Sequence, residues 1–274
     1  MPIEVVMSNR IEKTFAKCRN ERRAALIPFI MGYDPDAKTS AALLDALAAS
    51  GADVIEVGMP FSDPMADGPL IQAAGKRALA AGATVVGILE QVAGFRKNHP
   101  DTPIILMGYF NPIYRYGSER FCKDAVAAGV DGIIMVDLPP EEEHELRPHL
   151  NTSGLKLIRL IAPTSGDKRL PLLAKSASGF IYYISITGIT GAESANVETL
   201  KNKVAQLRQF TDLPIAVGFG IKTPEQAKQV AQFADAVVVG SALVEVIAKS
   251  GKDAVAKAGE FVQLLKKALF VIPA

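Results

Sequence analysis

The chain has 274 residues, and its 30 Lys and Arg against 29 Asp and Glu leave a formal net charge of +1 at pH 7. That balance supplies no field for gathering nucleic acid or an anionic membrane, and it points to a small-molecule partner. Only Cys18 and Cys122 are present, far apart and without companions at metal-ligand spacing, which speaks against structural zinc and for a reducing compartment.

Met1 to Arg23 carries charges throughout with no apolar h-region, and no later apolar run approaches bilayer length, so a soluble, cytoplasmic protein is expected. One domain over residues 1–274 is expected, since α/β barrels reach this size without dividing. In chain order, residues 8–20 read as an extra helix with Ile11, Phe15 and Cys18 at helical spacing, covering the floor of whatever follows over 24–267. Eight short apolar, β-branched runs then recur: Ala25 to Met31, Asp53 to Gly58, Ile104 to Gly108, Gly132 to Val136, Leu157 to Ile161, Phe180 to Ser185, Ile215 to Gly218 and Ala236 to Val239. Helical stretches separate them, among them Ser40 to Ser50, Glu119 to Ala128 and the segment opened by Thr223 and Pro224, with Gly51 and Gly129 as stops. Eight strands alternating with helices predict an α/β fold, a single (β/α)₈ TIM barrel with an additional N-terminal helix. An open doubly wound sheet is the alternative that the same alternation allows.

The second run carries the least expected residue. Glu56 is flanked by Val54, Ile55 and Val57, and an ionised carboxylate in an apolar interior is costly unless paired or protonated. It is either a catalytic group at a barrel mouth or a structural carboxylate neutralised by a buried Lys or Arg. Asp67 follows in a loop shaped by Pro60, Pro64, Gly68 and Pro69, where an acid–base role and an Asx-turn role are both open, whereas Asp63 before Pro64 reads as a turn residue. Tyr109 and Asn111 fall just after the third run and Asp137, a supporting residue at most, after the fourth. Gly188 and Gly191 after the sixth run, Gly218 to Ile221 after the seventh, and Gly240-Ser241 after the eighth occupy positions where barrels present backbone N–H groups and a helix N-terminus to a phosphate. The bland reading of these glycines is tight strand-to-helix turns. His99, in a loop before Pro100, and His144 and His149, in a charged helix with Glu141, Glu142, Glu143 and Glu145, read as solvated, and no ligand cluster, Ser/His arrangement or Schiff-base lysine stands out.

The segment Glu56 to Pro69 (EVGMPFSDPMADGP) closely resembles the strongest motif of the tryptophan synthase α subunit family, and Leu26 to Phe29, Tyr182 to Ser185, Thr187 to Gly191 and Gly218 to Ile221 extend the resemblance nearly end to end. The resemblance implies a carbon–carbon lyase that cleaves indole-3-glycerol phosphate to indole and glyceraldehyde 3-phosphate in tryptophan biosynthesis. By position it makes Glu56 the proton shuttle and Asp67, remaining ionised, the acceptor for the indole N–H. It implies an indole wall of Phe29, Tyr109, Ile134 and Tyr182, and a phosphate cradle of Gly191, Phe219, Gly220, Gly240 and Ser241. Thr190 matches the loop threonine that orients the aspartate. The implied partner is a β subunit in an α₂β₂ heterotetramer that carries pyridoxal phosphate, with no cofactor and no metal in this chain. Loops at Met59 to Pro69, Asn111 to Tyr116 and Ile186 to Asn196 would face that partner. Two other functions remain possible on the residues alone: another phosphate-binding barrel isomerase, or a non-catalytic scaffold for a β subunit.

Overall fold

A computed structural model describes residues 10–184, 193–218 and 220–270. Among these residues nine parallel strand segments form one sheet: β1 (Ala25–Met31), β2 (Ile55–Gly58), β3 (Ile104–Gly108), β4 (Gly132–Met135), β5 (Lys156–Leu157), β6 (Arg159–Ile161), β7 (Ile181–Ile184), β8 (Ile215–Gly218) and β9 (Ala236–Val239). Their order is β5-β4-β3-β2-β1-β9-β8-β7-β6. The ends of that order, β5 and β6, are parted only by Ile158, whose N–H donates to the Ile133 carbonyl at 2.9 Å. They are two halves of the fifth expected strand, β5 pairing with β4 and β6 with β7, so the sheet closes across Ile158 into eight staves. Closure, including β1 against β9, rules out the open doubly wound sheet.

Side chains alternate between the two faces of each stave with the period of two that a pleated strand imposes. Leu26, Ile55, Val57, Leu106, Ile133, Tyr183 and Val237 point outward into the layer shared with the helices. Ala25, Ile27, Val54, Ile105, Ile134, Ile158, Ala216 and Ala236 point inward, and the N-terminal helix Arg10–Asn20 adds Ile11, Phe15 and Cys18 to that inner cluster. The Phe15 and Phe180 rings lie 5.6 Å apart, so the extra helix closes the barrel floor as its spacing predicts. Both cysteine thiols are free and buried, and burial pushes each up to about 11, which leaves them inert.

Several helix boundaries depart from the sequence reading. The second helix starts at Ala37, because Asp36 caps it by accepting from the Thr39 N–H at 2.8 Å. Residues expected as a loop at Asn111 to Tyr116 form the helix Phe110–Tyr116. Of the expected loop Ile186 to Asn196, the helix Glu193–Leu207 claims the last residues, while 185–192 lie outside the described part. The acidic segment bearing His144 and His149 is a 3₁₀ turn, Pro140–Glu145, followed by a separate helix, Arg147–Ser153. His99 is not simply solvated: its ring stacks on Phe95 at 4.6 Å and Nε2 lies 3.1 Å from an Asp45 carboxylate oxygen. Among the described residues no single helix is long and apolar enough to cross a membrane; one pair, Pro69–Ala80 with Val85–Asn98, reaches that length and composition only together and is bent by 95°.

Candidate active site

Above the closed floor, the inward positions nearest the C-terminal ends of the strands surround a cavity of ≈ 570 Å³. Phe29, Glu56, Met107, Val136, Tyr182, Gly218 and Val238 line its depth, one inward layer above Ile27, Val54, Ile105, Ile134, Ala216 and Ala236. The space exists partly because two inward positions lack a side chain. A Cβ on Gly58 would stand 2.7 Å from Cζ of Phe29 and 2.9 Å from Sδ of Met31, and one on Gly218 would stand 2.6 Å from the Tyr182 hydroxyl. Gly58→Ala is therefore expected to displace the Phe29 ring into the cavity, raising KM and lowering stability by about 1–3 kcal/mol in denaturant titration.

Two carboxyls near the second strand show how completely local partners decide charge. Asp53, at the floor, meets Arg23 through two bonds of 2.8 Å and Lys266 at 2.5 Å, and accepts from the Leu26 N–H. Burial works to raise its pKa, but the Arg23 and Lys266 contacts outweigh burial and hold it below the ordinary value. Glu56, three residues on, is 1% exposed, and among the described residues neither carboxyl oxygen has a hydrogen-bond partner. Desolvation with nothing to offset it pushes Glu56 up to about 8, so at neutral pH it holds its proton. The reading of Glu56 as a carboxylate neutralised by a buried cation does not hold; it is kept neutral by protonation. Its nearness pushes the neighbouring Tyr182 phenol up further, after burial, to well above its usual value.

Asp67 sits in a different setting. It is partly exposed at the cavity wall, and its carboxyl engages the Tyr109 hydroxyl rather than local backbone, so the Asx-turn alternative is not the geometry adopted. Tyr109, 2% exposed, accepts from the Ala66 N–H at 3.0 Å and stacks obliquely on Phe61 at 5.4 Å, which fixes its hydroxyl against the loop. Gln72 donates from Nε2 to the Asp67 carbonyl at 2.9 Å, anchoring the aspartate's main chain to the helix Pro69–Ala80 that it precedes. Partial burial raises the Asp67 pKa and the Tyr109 bond pulls it back. Asp63 is exposed and takes the Ser62 hydroxyl at 2.5 Å, as a turn residue would. Asp137 is a supporting residue, accepting from the Phe110 N–H at 2.8 Å.

Across the cavity, Gly220 (φ +61°), Gly240 and Ser241 line the wall, and Gly240-Ser241 opens the helix Ser241–Ser250. A helix start facing a cavity offers unpaired N–H groups and a positive dipole end to an anion. Phe219, Thr190 and Gly191 fall outside the described residues. Phe29, Tyr109 and Tyr182 from the expected indole wall line the cavity; Ile134 does not, because it points into the packed layer below. Asn111 is exposed at the start of its helix. Met31, Ile184 and Val238 line the cavity and were passed over, although each is two residues from a recognised inward position, so strand parity was the signal that would have found them. Lys222, also on the wall, carried no such signal. Among the described residues no group of three or more His, Cys, Asp or Glu is placed to hold a metal.

A closed eight-stave barrel with two differently housed carboxyls on one side of a mouth cavity and a glycine-flanked helix start on the other defines a barrel enzyme that works at its strand C-termini. Residues 15–269 match the family model described as tryptophan synthase alpha chain. The tryptophan synthase alpha chain of Acidiphilium cryptum is 58% identical over 91% of this chain and 90% of its own length, and that of Gluconacetobacter diazotrophicus is 55% identical over 92% and 91%. The crystal structure of tryptophan synthase subunit alpha from Legionella pneumophila superposes with a TM-score of 0.89 at 42% identity, covering 96% of this chain and 98% of that one. The chain belongs to the tryptophan synthase alpha chain family.

Proposed function

We propose that this chain cleaves indole-3-glycerol phosphate to indole and glyceraldehyde 3-phosphate at the mouth cavity, with Glu56 as the proton-transferring group. Family membership makes it a lyase of tryptophan biosynthesis. The observation that carries the assignment of roles is Glu56, buried at the edge of a cavity of substrate size and without a hydrogen-bond partner among the described residues, where desolvation raises its pKa to about 8.

The reaction balances with protons alone. A proton is delivered to C3 of the indole ring, the bond from C3 to the glycerol carbon breaks with its electron pair returning to the ring, and the adjacent hydroxyl loses its proton as the aldehyde forms. A carboxyl that starts protonated near pH 7 can give the first proton and take up the second, which is why an environment that raises its pKa suits the task. Positive charge builds on the indole nitrogen before the bond breaks, and an anionic Asp67 accepting its N–H stabilises that state. The Tyr109 hydroxyl, by donating to Asp67, favours the anion against the burial that disfavours it. Phe29 and Tyr182 flank the ring, and Gly220, Gly240 and Ser241 receive the phosphate, together with Gly191 and Phe219. Thr190 orients Asp67, as the family resemblance implies.

The chain needs no cofactor or metal for these steps. Its partner is a β subunit carrying pyridoxal phosphate, in an α₂β₂ assembly in the cytoplasm. Exposed apolar groups around the mouth, Met65 at 80% and Tyr114 at 56% exposure, support a protein surface there. The test is direct: purified chain with indole-3-glycerol phosphate releases indole, and release rises when a β subunit is added. No indole under either condition overturns the proposal.

A further inference from the structure

The cavity holds one feature that neither carboxyl chemistry nor the glycine cradle uses. Lys222 lies on the same wall as Gly220, Gly240 and Ser241, and is the only cation lining the cavity among the described residues. The remaining residues nearby in sequence, 185–192 and Phe219, contain no Lys, Arg or His. The Lys222 main chain is fixed, because its N–H donates to Gln226 Oε1 at 2.9 Å at the start of the helix Pro224–Ala231. Its side chain is exposed and, among the described residues, has no hydrogen-bond or ion-pair partner. Glu245 is close enough to feel its charge, but Glu245 is already held by Lys249 at 2.5 Å.

The charge balance gives this position a task. Backbone N–H groups, a serine hydroxyl and a helix start are neutral donors or fractional charges, and the cavity's other titratable groups are acids. Among the described residues that line the cavity, Lys222 carries the one full positive charge that a phosphate dianion could pair with. We propose that Lys222 is a phosphate-recognition residue of this site, its ammonium pairing with the dianion and setting the end of the cavity that the phosphate takes. The proposal rests on the cavity being the site for indole-3-glycerol phosphate.

Lys222→Met is expected to raise KM for indole-3-glycerol phosphate and Ki for inorganic phosphate by about three- to tenfold, with kcat within twofold, because an exposed ion pair contributes to substrate and transition state alike. Inhibition by indole, which has no phosphate, stays unchanged. Added salt weakens phosphate inhibition of the wild type more than that of the variant, and Lys222→Arg restores KM. Unchanged KM and phosphate Ki in Lys222→Met, or a fall in kcat alone, overturns the proposal. Calorimetric binding of inorganic phosphate to wild type and Lys222→Met separates the two levels. A wild type that binds phosphate through Lys222 but releases no indole refutes the reaction and not the residue, whereas equal phosphate affinity refutes the residue whatever the activity.

Discussion

Glu56→Gln is expected to lower kcat for indole release by about a thousandfold or more, the scale of a lost general acid–base group, with KM little changed. Gln preserves the shape of the side chain and cannot give up or accept the proton. The variant should also remain folded, because no described residue depends on a charge at this position: among the described residues both Glu56 oxygens are without partners. Its stability will differ from wild type in a pH-dependent way. The ordinary value of 4.5 applies in the unfolded chain and about 8 in the folded one. Between these limits the folded chain keeps a proton that the unfolded chain has released, so wild-type stability falls as pH rises across the window; below it both states are protonated, and above it neither is. Gln in this position removes that slope. The thermal midpoint of Glu56→Gln should therefore gain on wild type from pH 5 to pH 8 and level off above, corresponding to roughly a few kcal/mol. A constant difference across that range would mean that Glu56 is not held neutral by burial.

Asp67→Asn is expected to cost about 10²–10³ in kcat, the range for removing one preorganised group that stabilises transition-state charge. An amide can still touch the indole N–H, but it carries no negative charge as the nitrogen becomes cationic. Tyr109→Phe should have a smaller effect of the same kind, since it removes the hydroxyl that engages Asp67 and leaves the Ala66 N–H without its acceptor at 3.0 Å. If Tyr109 acts through Asp67, the double variant is no slower than Asp67→Asn, a non-additivity that a double-mutant cycle reads directly. Additive losses would place Tyr109 against the substrate instead, as a ring of the cavity wall.

The barrel was legible in the sequence because all its strands are short apolar runs bounded by helical segments, and a parallel sheet buried on both faces produces that pattern. What the pattern hid was the interruption at Ile158, since a one-residue break in the ladder changes nothing in the composition of the run Leu157 to Ile161. Glu56 was conspicuous for a physical reason, a carboxyl at an inward position among Val54, Ile55 and Val57. Whether it was paired could not be read, because any partner would come from another stave; the contrast with Asp53, whose partners Arg23 and Lys266 come from opposite ends of the chain, shows how non-local that decision is. Asp67 gave no signal of its own beyond a proline-rich loop, and the residue that distinguishes it, Tyr109, follows a different strand. Ile134 illustrates the opposite error. It stands on an inward face of the barrel, yet one layer too deep to meet a substrate, and depth along a stave depends on a register that sequence does not print.

In the proposed mechanism, desolvation keeps Glu56 protonated at neutral pH so that it can move protons at the reacting carbon. The most direct measurement is a ¹³C NMR titration of the glutamate carboxyl resonances, with Glu56→Gln identifying the Glu56 signal. A midpoint near 8 in the free protein is the predicted result, whereas a midpoint near the ordinary 4.5 would contradict the account.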